Sequence, residues 1–221
     1  LAALAGCAPA AEPAPSDPAT DAAPSTPTTG AALPLPDRIP DPRALTGLSE
    51  AAPAPPIVPV DDDPAVALPV TVTGDDGVAT TVASIDRIVT LDIYGTTSQT
   101  LIGLGLADRV AGRTISDADP ALAGVPTVNA EGHAVDVEAV LAVAPTLVLA
   151  DTTLGPATSI RLLRDSGIPV VVLDPDRGAR LIAEQIRAIA AATGVPEAGE
   201  ALVERTEKEL DEVREYIAGL T

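Results

Sequence analysis

Residues Val135 to Asp151 read VDVEAVLAVAPTLVLAD, and the fold turns on this stretch. In its first half, Asp136 stands where a carboxylate can accept from the free N–H groups of a helix running from Val137 to Val143. Its second half, Thr146 to Ala150, is an apolar run of the kind that a strand buried on both faces requires. A helix followed at once by a buried strand is part of an alternating unit, so the flanks should continue the alternation.

They do so in both directions. Upstream, Arg87 to Leu91 (RIVTL) reads as a buried strand, Thr97 to Leu106 as a short helix, Arg109 to Arg113 (RVAGR) as a strand and Pro126 to Asn129 (PTVN) as a weak one. Downstream, a helix over Ala157 to Ser166 ends at Gly167, and Pro169 to Asp174 (PVVVLD) is a strongly apolar strand. A helix from Gly178 to Thr193 follows, with Leu181, Ile182, Ile186 and Ile189 on one face and Gly194-Val195-Pro196 as its stop. Ahead of all this, PVTVTGDDGVATTV from Pro69 has two β-branched runs around Asp76-Gly77, a hairpin signal. The pattern predicts an α/β fold: a mostly parallel sheet with helices on both faces, spanning residues 69–195.

Pro196 to Leu220 differs. Leu202, Leu210, Val213, Ile217 and Leu220 form a narrow apolar stripe on an otherwise highly charged helix of about six turns. Such a helix at the end of a domain serves better as a strut between two bodies than as a lid, which predicts a further domain beyond it.

The chain of 221 residues carries 46 % apolar residues but only 1 % aromatic ones, so its core must be aliphatic. Its net charge of -19 argues against a nucleic-acid partner, whose phosphates would be repelled. Residues 8–68 hold most of the 23 prolines, amid Ala, Thr, Ser and Asp and without hydrophobic periodicity, and are expected to form a disordered Pro/Ala-rich linker. Residues 1–7, LAALAGC, are too short to span a bilayer. LAGC resembles the lipobox of bacterial lipoproteins, which makes Cys7 a lipidation site and residues 1–7 the end of a signal peptide that began further upstream. With a single Cys no disulfide framework is possible.

In open α/β sheets ligands bind beyond the carboxyl ends of the strands, so the loops after the strands nominate the site. They contain Tyr94, Arg113, Thr152 and Thr153, and His133, the one histidine of the chain. A lone loop histidine is most often solvated or locally hydrogen-bonded. A protein-only zinc site needs three or four ligands, which one His and one Cys do not supply. Haem iron needs only one or two axial ligands, so the composition permits haem. Catalytic motifs are poor: GLGLAD (Gly103 to Asp108) lacks the third glycine of a dinucleotide fingerprint, no G-x-S-x-G elbow occurs, and the sole lysine is Lys208, on the terminal helix. No enzymatic activity is expected, although an extracytoplasmic α/β enzyme or a surface adhesion module is the alternative from another class.

RIVTLDIYGTTSQTLIGLGLADRVAGRT, VDVEAVLAVAPTLVLAD and GIPVVVLDPDR resemble, in order and spacing, the N-terminal lobe of substrate-binding proteins of iron-chelate and cobalamin ABC importers. Within that family DIYGTTSQT and EGH are similar to the haem-binding lipoproteins of actinobacterial haem uptake. The resemblance implies two α/β lobes joined by a long helix, residues 196–221 being that interlobe helix, with the second lobe missing from this sequence. It implies haem as the transported ligand, an ABC permease as partner and lipid attachment to the outer face of the cell membrane. It makes His133 the axial ligand of haem iron and Glu138 the carboxylate that docks on a permease arginine. Tyr94 and Arg113 are pocket candidates by loop position, Arg113 either pairing a haem propionate or capping a local carbonyl. The family's tyrosine ligand belongs to the other lobe, and Tyr216, on the connecting helix, cannot replace it. A siderophore or cobalamin is the alternative ligand.

Overall fold

The computed structural model describes residues 43, 46–48, 55–129 and 133–219. Cys7 and the larger part of the expected linker lie outside the described residues. Four parallel strands, β3 (Ile88–Leu91), β4 (Val110–Gly112), β5 (Leu147–Ala150) and β6 (Val170–Val172), form a sheet in the order β4-β3-β5-β6. Residues 126–129, read as a weak strand, make isolated pairings: Arg113 N–H donates to Pro126 O at 3.0 Å, Val128 N–H to Arg113 O at 2.8 Å and Asp136 N–H to Val128 O at 3.2 Å.

Alternation along the strands divides the core in two. Ile88, Leu147, Leu149 and Val171 face one way, into a cluster with Leu101 and Ile102 of α1 (Thr96–Gly103), Ile186 and Ile189 of α4 (Ile182–Thr193), and Leu202 and Val203 of α5 (Pro196–Gly219). Val89, Leu91, Val148, Ala150 and Val170 face the other way, against Val140 of α2 (Val137–Ala142) and Leu163 of α3 (Ala157–Asp165). Full burial of each aliphatic side chain contributes about 1.5–3 kcal/mol, and both faces must be covered because every residue of β3, β5 and β6 is buried.

The hairpin β1 (Val70–Thr73) and β2 (Ala79–Val82) turns over Gly77 at φ +74°, a left-handed position that suits glycine. It docks beside β6: Thr80 Oγ1 donates to Val170 O at 3.1 Å and Asp75 N–H to Val172 O at 2.8 Å. The unpaired side of the strand is thereby covered. Gly167 at φ +82° and Gly194 at φ +71° close α3 and α4 as the sequence predicts.

Helix α1 ends at Gly103, short of the expected Leu106, and two further boundaries differ from expectation. Helix α4 begins at Ile182, not Gly178, because residues 174–177 are wrapped around the Arg177 guanidinium, whose Nη1 donates to the carbonyls of Asp174 at 2.7 Å and Asp176 at 3.1 Å. Residues 55–68, expected as the end of a disordered linker, instead form a strap over the α1, α4 and α5 layer. Ile57, Val60 and Leu68 pack on its core, Val60 N–H donates to Gly103 O at 2.9 Å and Ala67 N–H to Gly194 O at 2.8 Å, and Arg205 Nη1 of α5 donates to Val58 O at 2.7 Å. A Cβ on Gly105, at φ +81°, would lie 1.9 Å from Asp61 O. The strap fits because distant glycines leave room for its backbone, a complementarity that its own composition does not reveal.

Helix α5 is the long helix expected, about 36 Å from end to end. It buries Ala198, Gly199, Leu202 and Val203 in its first two turns. Val213 and Ile217 of the predicted stripe are exposed, and Leu220 lies outside the described residues.

Candidate functional site

The strand order places the switch of chain direction between β3 and β5, whose following loops diverge to opposite faces of the sheet, and this is where a crevice is expected. Each of the two strands ends on a buried aspartate. Asp92, after β3, accepts from the backbone N–H groups of Tyr94 at 2.8 Å, Thr96 at 3.2 Å and Thr97 at 3.1 Å, and so caps α1 from outside the helix. Asp151, after β5, accepts from the Thr153 N–H at 2.8 Å and from the Thr153 hydroxyl. Thr153 Oγ1 in turn accepts from Ile93 N–H at 3.1 Å, tying the two loops together.

A third buried carboxylate, Asp117, accepts from Ser98 Oγ and from Thr114 N–H at 2.8 Å. Burial raises the pKa of Asp117 and of Asp151 above the ordinary carboxylate value. The nearby charge of Asp92 acts in the same direction, while their hydrogen bonds oppose the shift. Among the described residues the cation that meets this set is Arg177. Its Nη2 lies 2.6 Å from Asp151 Oδ2, its Nε donates to Thr96 Oγ1 at 3.1 Å, and its Cζ sits 5.4 Å from the centroid of the Tyr94 ring. Two hollows flank the cluster. One, of ≈ 170 Å³, has Thr96, Arg177 and Gln185 among its lining; the other, of ≈ 390 Å³, has Asp151, Gly155 and Arg161.

Of the residues nominated by sequence, Tyr94 and His133 both border this region. Tyr94 is 54 % exposed. His133 is exposed, and no described residue hydrogen-bonds to its imidazole. Its backbone is anchored on the loop after β5: His133 O accepts from Gly155 N–H at 3.1 Å, and Val135 N–H donates to Gly155 O at 3.3 Å. Thr152 lines the larger hollow. Glu138 is exposed in the first turn of α2, which Asp136 caps by accepting from Ala139 N–H at 3.0 Å.

Arg113 is the exception. Its Nε donates to the carbonyls of Leu122 and Val125, each at 3.1 Å, and its Nη1 to those of Thr114 at 3.2 Å and Asp117 at 2.8 Å. Of the two roles considered for it, propionate pairing or carbonyl capping, the geometry is that of the cap: the side chain holds the 114–125 loop closed. Sequence reasoning missed Arg177 and the two strand-end aspartates. Their signal was present, since in VTLD and LVLAD an acid directly follows an apolar run, and in VVVLDPDR an arginine follows the last strand.

Residues 88–221 match the family model described as periplasmic binding protein. No curated protein matches the chain. Among solved structures, the haem-binding protein HmuT superposes with a TM-score of 0.78 at 42 % identity, covering 82 % of this chain and 59 % of HmuT. The periplasmic haem-binding protein RhuT from Roseiflexus sp. RS-1, in apo form, gives a TM-score of 0.54 at 28 % identity, over 59 % of this chain and 49 % of RhuT. The periplasmic haem-binding protein BhuT, in complex with two haems, gives 0.55 at 27 % identity, over 60 % of this chain and 50 % of BhuT. The chain thus spans about half to three-fifths of the length of these three proteins.

Proposed function

This chain belongs to the periplasmic binding protein family, and from that premise we propose that it is the N-terminal lobe of an extracytoplasmic protein that binds haem and hands it to an ABC importer. The observation that carries the reading is the 42 % identity to the haem-binding protein HmuT over 82 % of this chain. The protein is a carrier, with haem as cargo and no reaction of its own.

His133 ligates the iron through a neutral imidazole. Its ring is exposed and engaged by no described residue, and its main chain is held at Gly155 beside the crevice. Among the described residues, therefore, no hydrogen bond has to be broken before the donor meets the metal. Glu138 docks on the permease: it stands exposed on α2, two residues before the buried Val140, where a charged group retains its reach. Cys7 carries the lipid that, with further chains, keeps the protein at the outer face of the cell membrane.

Equilibrium dialysis of the full-length protein against haemin, a ferric siderophore and cobalamin tests the ligand class. Retention of haemin in a one-to-one complex, with neither of the others retained, is expected. Retention of the siderophore or cobalamin in preference to haemin would move the protein to another branch of the family, and retention of none would sink the carrier reading.

A further inference from the structure

The proposal concerns how the crevice recognises the shape of its ligand, and it rests on the haem-carrier reading. Arg177 is a cation at the edge of an open crevice, which first points to a partner for a ligand carboxylate. Four of its five N–H donors are already committed. Nε is taken by Thr96 Oγ1 at 3.1 Å, Nη1 by the carbonyls of Asp174 at 2.7 Å and Asp176 at 3.1 Å, and Nη2 by Asp151 Oδ2 at 2.6 Å. Asp151 is itself fully buried at its side chain and pinned by Thr153. A planar guanidinium with its edge occupied by such a fork retains its face, and its Cζ lies over the Tyr94 ring, 5.4 Å from the centroid.

Tyr94 is accordingly held at two points. Its N–H is bonded to buried Asp92 at 2.8 Å, and one side of its ring is backed by Arg177. Yet the residue remains 54 % exposed in a chain whose sequence holds only two tyrosines and no Phe or Trp. An exposed aromatic ring backed on one side by a guanidinium and carried on an anchored main chain is a surface for stacking a flat conjugated system.

We propose that Tyr94 is a shelf on which the plane of a macrocyclic ligand lies, with Arg177 as the positioning residue behind it and Asp151 as the group that orients Arg177. The phenol oxygen is not an iron ligand in this arrangement. The ring carries the recognition, so the shelf acts on the macrocycle whether or not a metal sits in it.

Haemin and metal-free protoporphyrin IX separate this role from ligation. Full-length protein and the variants Tyr94→Leu, Tyr94→Phe, Arg177→Lys and His133→Ala are titrated with haemin by visible absorbance and with metal-free protoporphyrin by its fluorescence, circular dichroism checking that each is folded. Tyr94→Leu is expected to weaken both ligands by about tenfold without moving the Soret maximum of bound haemin. Arg177→Lys should weaken both by about threefold, since it retains the charge but loses the fork. Tyr94→Phe keeps the ring and should restore both affinities, and His133→Ala should weaken haemin alone. Unchanged affinity of both ligands for Tyr94→Leu would overturn the shelf, as would a Soret shift in Tyr94→Phe, which would mark the phenol as a ligand. If metal-free protoporphyrin binds in a Tyr94-dependent way while haemin shows no ligation, the haem reading fails and the shelf stands. If neither porphyrin binds the wild type, both fall.

Discussion

On one face of the sheet, α1, α4 and α5 share a large cluster with the hairpin and the strap of residues 55–68. On the other, the six residues of α2 and the nine of α3 cover a smaller cluster in which Val140 and Leu163 are the buried helix residues. The two layers carry different parts of the candidate site. Tyr94 leads into α1 and Arg177 precedes α4, so the shelf is built from the thick layer. His133 precedes α2 and is held by main-chain hydrogen bonds at Gly155, so the proposed iron donor and the exposed Glu138 belong to the thin one. The layer that carries His133 has the smaller core, and local opening should begin there.

The comparison breaks most visibly where the thick layer is tightest. A Cβ on Gly199 would lie 2.5 Å from Ala190 Cβ, so Gly199→Leu should force α5 off α4 and lower stability by about 3 kcal/mol, read as a drop in urea midpoint. A change confined to a few tenths of a kcal/mol would mean that the two helices are not locked there. Truncation sharpens the same side. Removing residues 1–54 should leave the midpoint nearly unchanged, whereas removing residues 1–68 strips Ile57, Val60 and Leu68 from the core and should cost about 2 kcal/mol. Equal midpoints for the two truncations would return the strap to the status of linker.

On the thin layer, Asp136→Ala removes the cap of α2 and should cost about 1 kcal/mol. Hydrogen exchange should speed up in residues 133–143 and not in α4 or α5; a uniform increase would show that the layers open as one unit. The smallest effect is electrostatic. Asp117 and Asp151 have native pKa values raised by burial, so just above the ordinary carboxylate range the native state binds protons that the unfolded chain has released. Stability contributed by these groups therefore falls as pH rises through their native pKa values and is level above them. Asp76 works in the opposite sense: burial raises its pKa, but Arg164 and local hydrogen bonds outweigh that and leave it lowered. The difference between wild type and Asp117→Asn isolates the buried group, and the variant should show the shallower fall of urea midpoint with rising pH. Identical pH profiles would remove Asp117 from the titrating set.

What the sequence made legible follows the same division between local and distant causes. β3, β5 and β6 were readable because a strand covered on both faces needs a continuous apolar run, and α2 because Asp136 stands at its first free N–H groups. Gly167 and Gly194 were readable as stops because their left-handed backbone is the ending itself. The strap was not, since its fit depends on space at Gly105 and Gly194, far along the chain. Arg113 and Arg177 both lie just past strands, and position alone nominated the first and passed over the second. Their roles diverge through partners that only the folded chain brings near: backbone carbonyls for Arg113, a buried aspartate and a tyrosine ring for Arg177.

The most direct test of the central claim is a haemin titration of the full-length protein beside its His133→Ala variant, followed at the Soret band. A saturable one-to-one shift in the wild type, with weaker binding and a displaced band in the variant, is the predicted result. Identical bands and affinities in the two proteins would contradict His133 as an iron ligand and leave this lobe with the shelf alone.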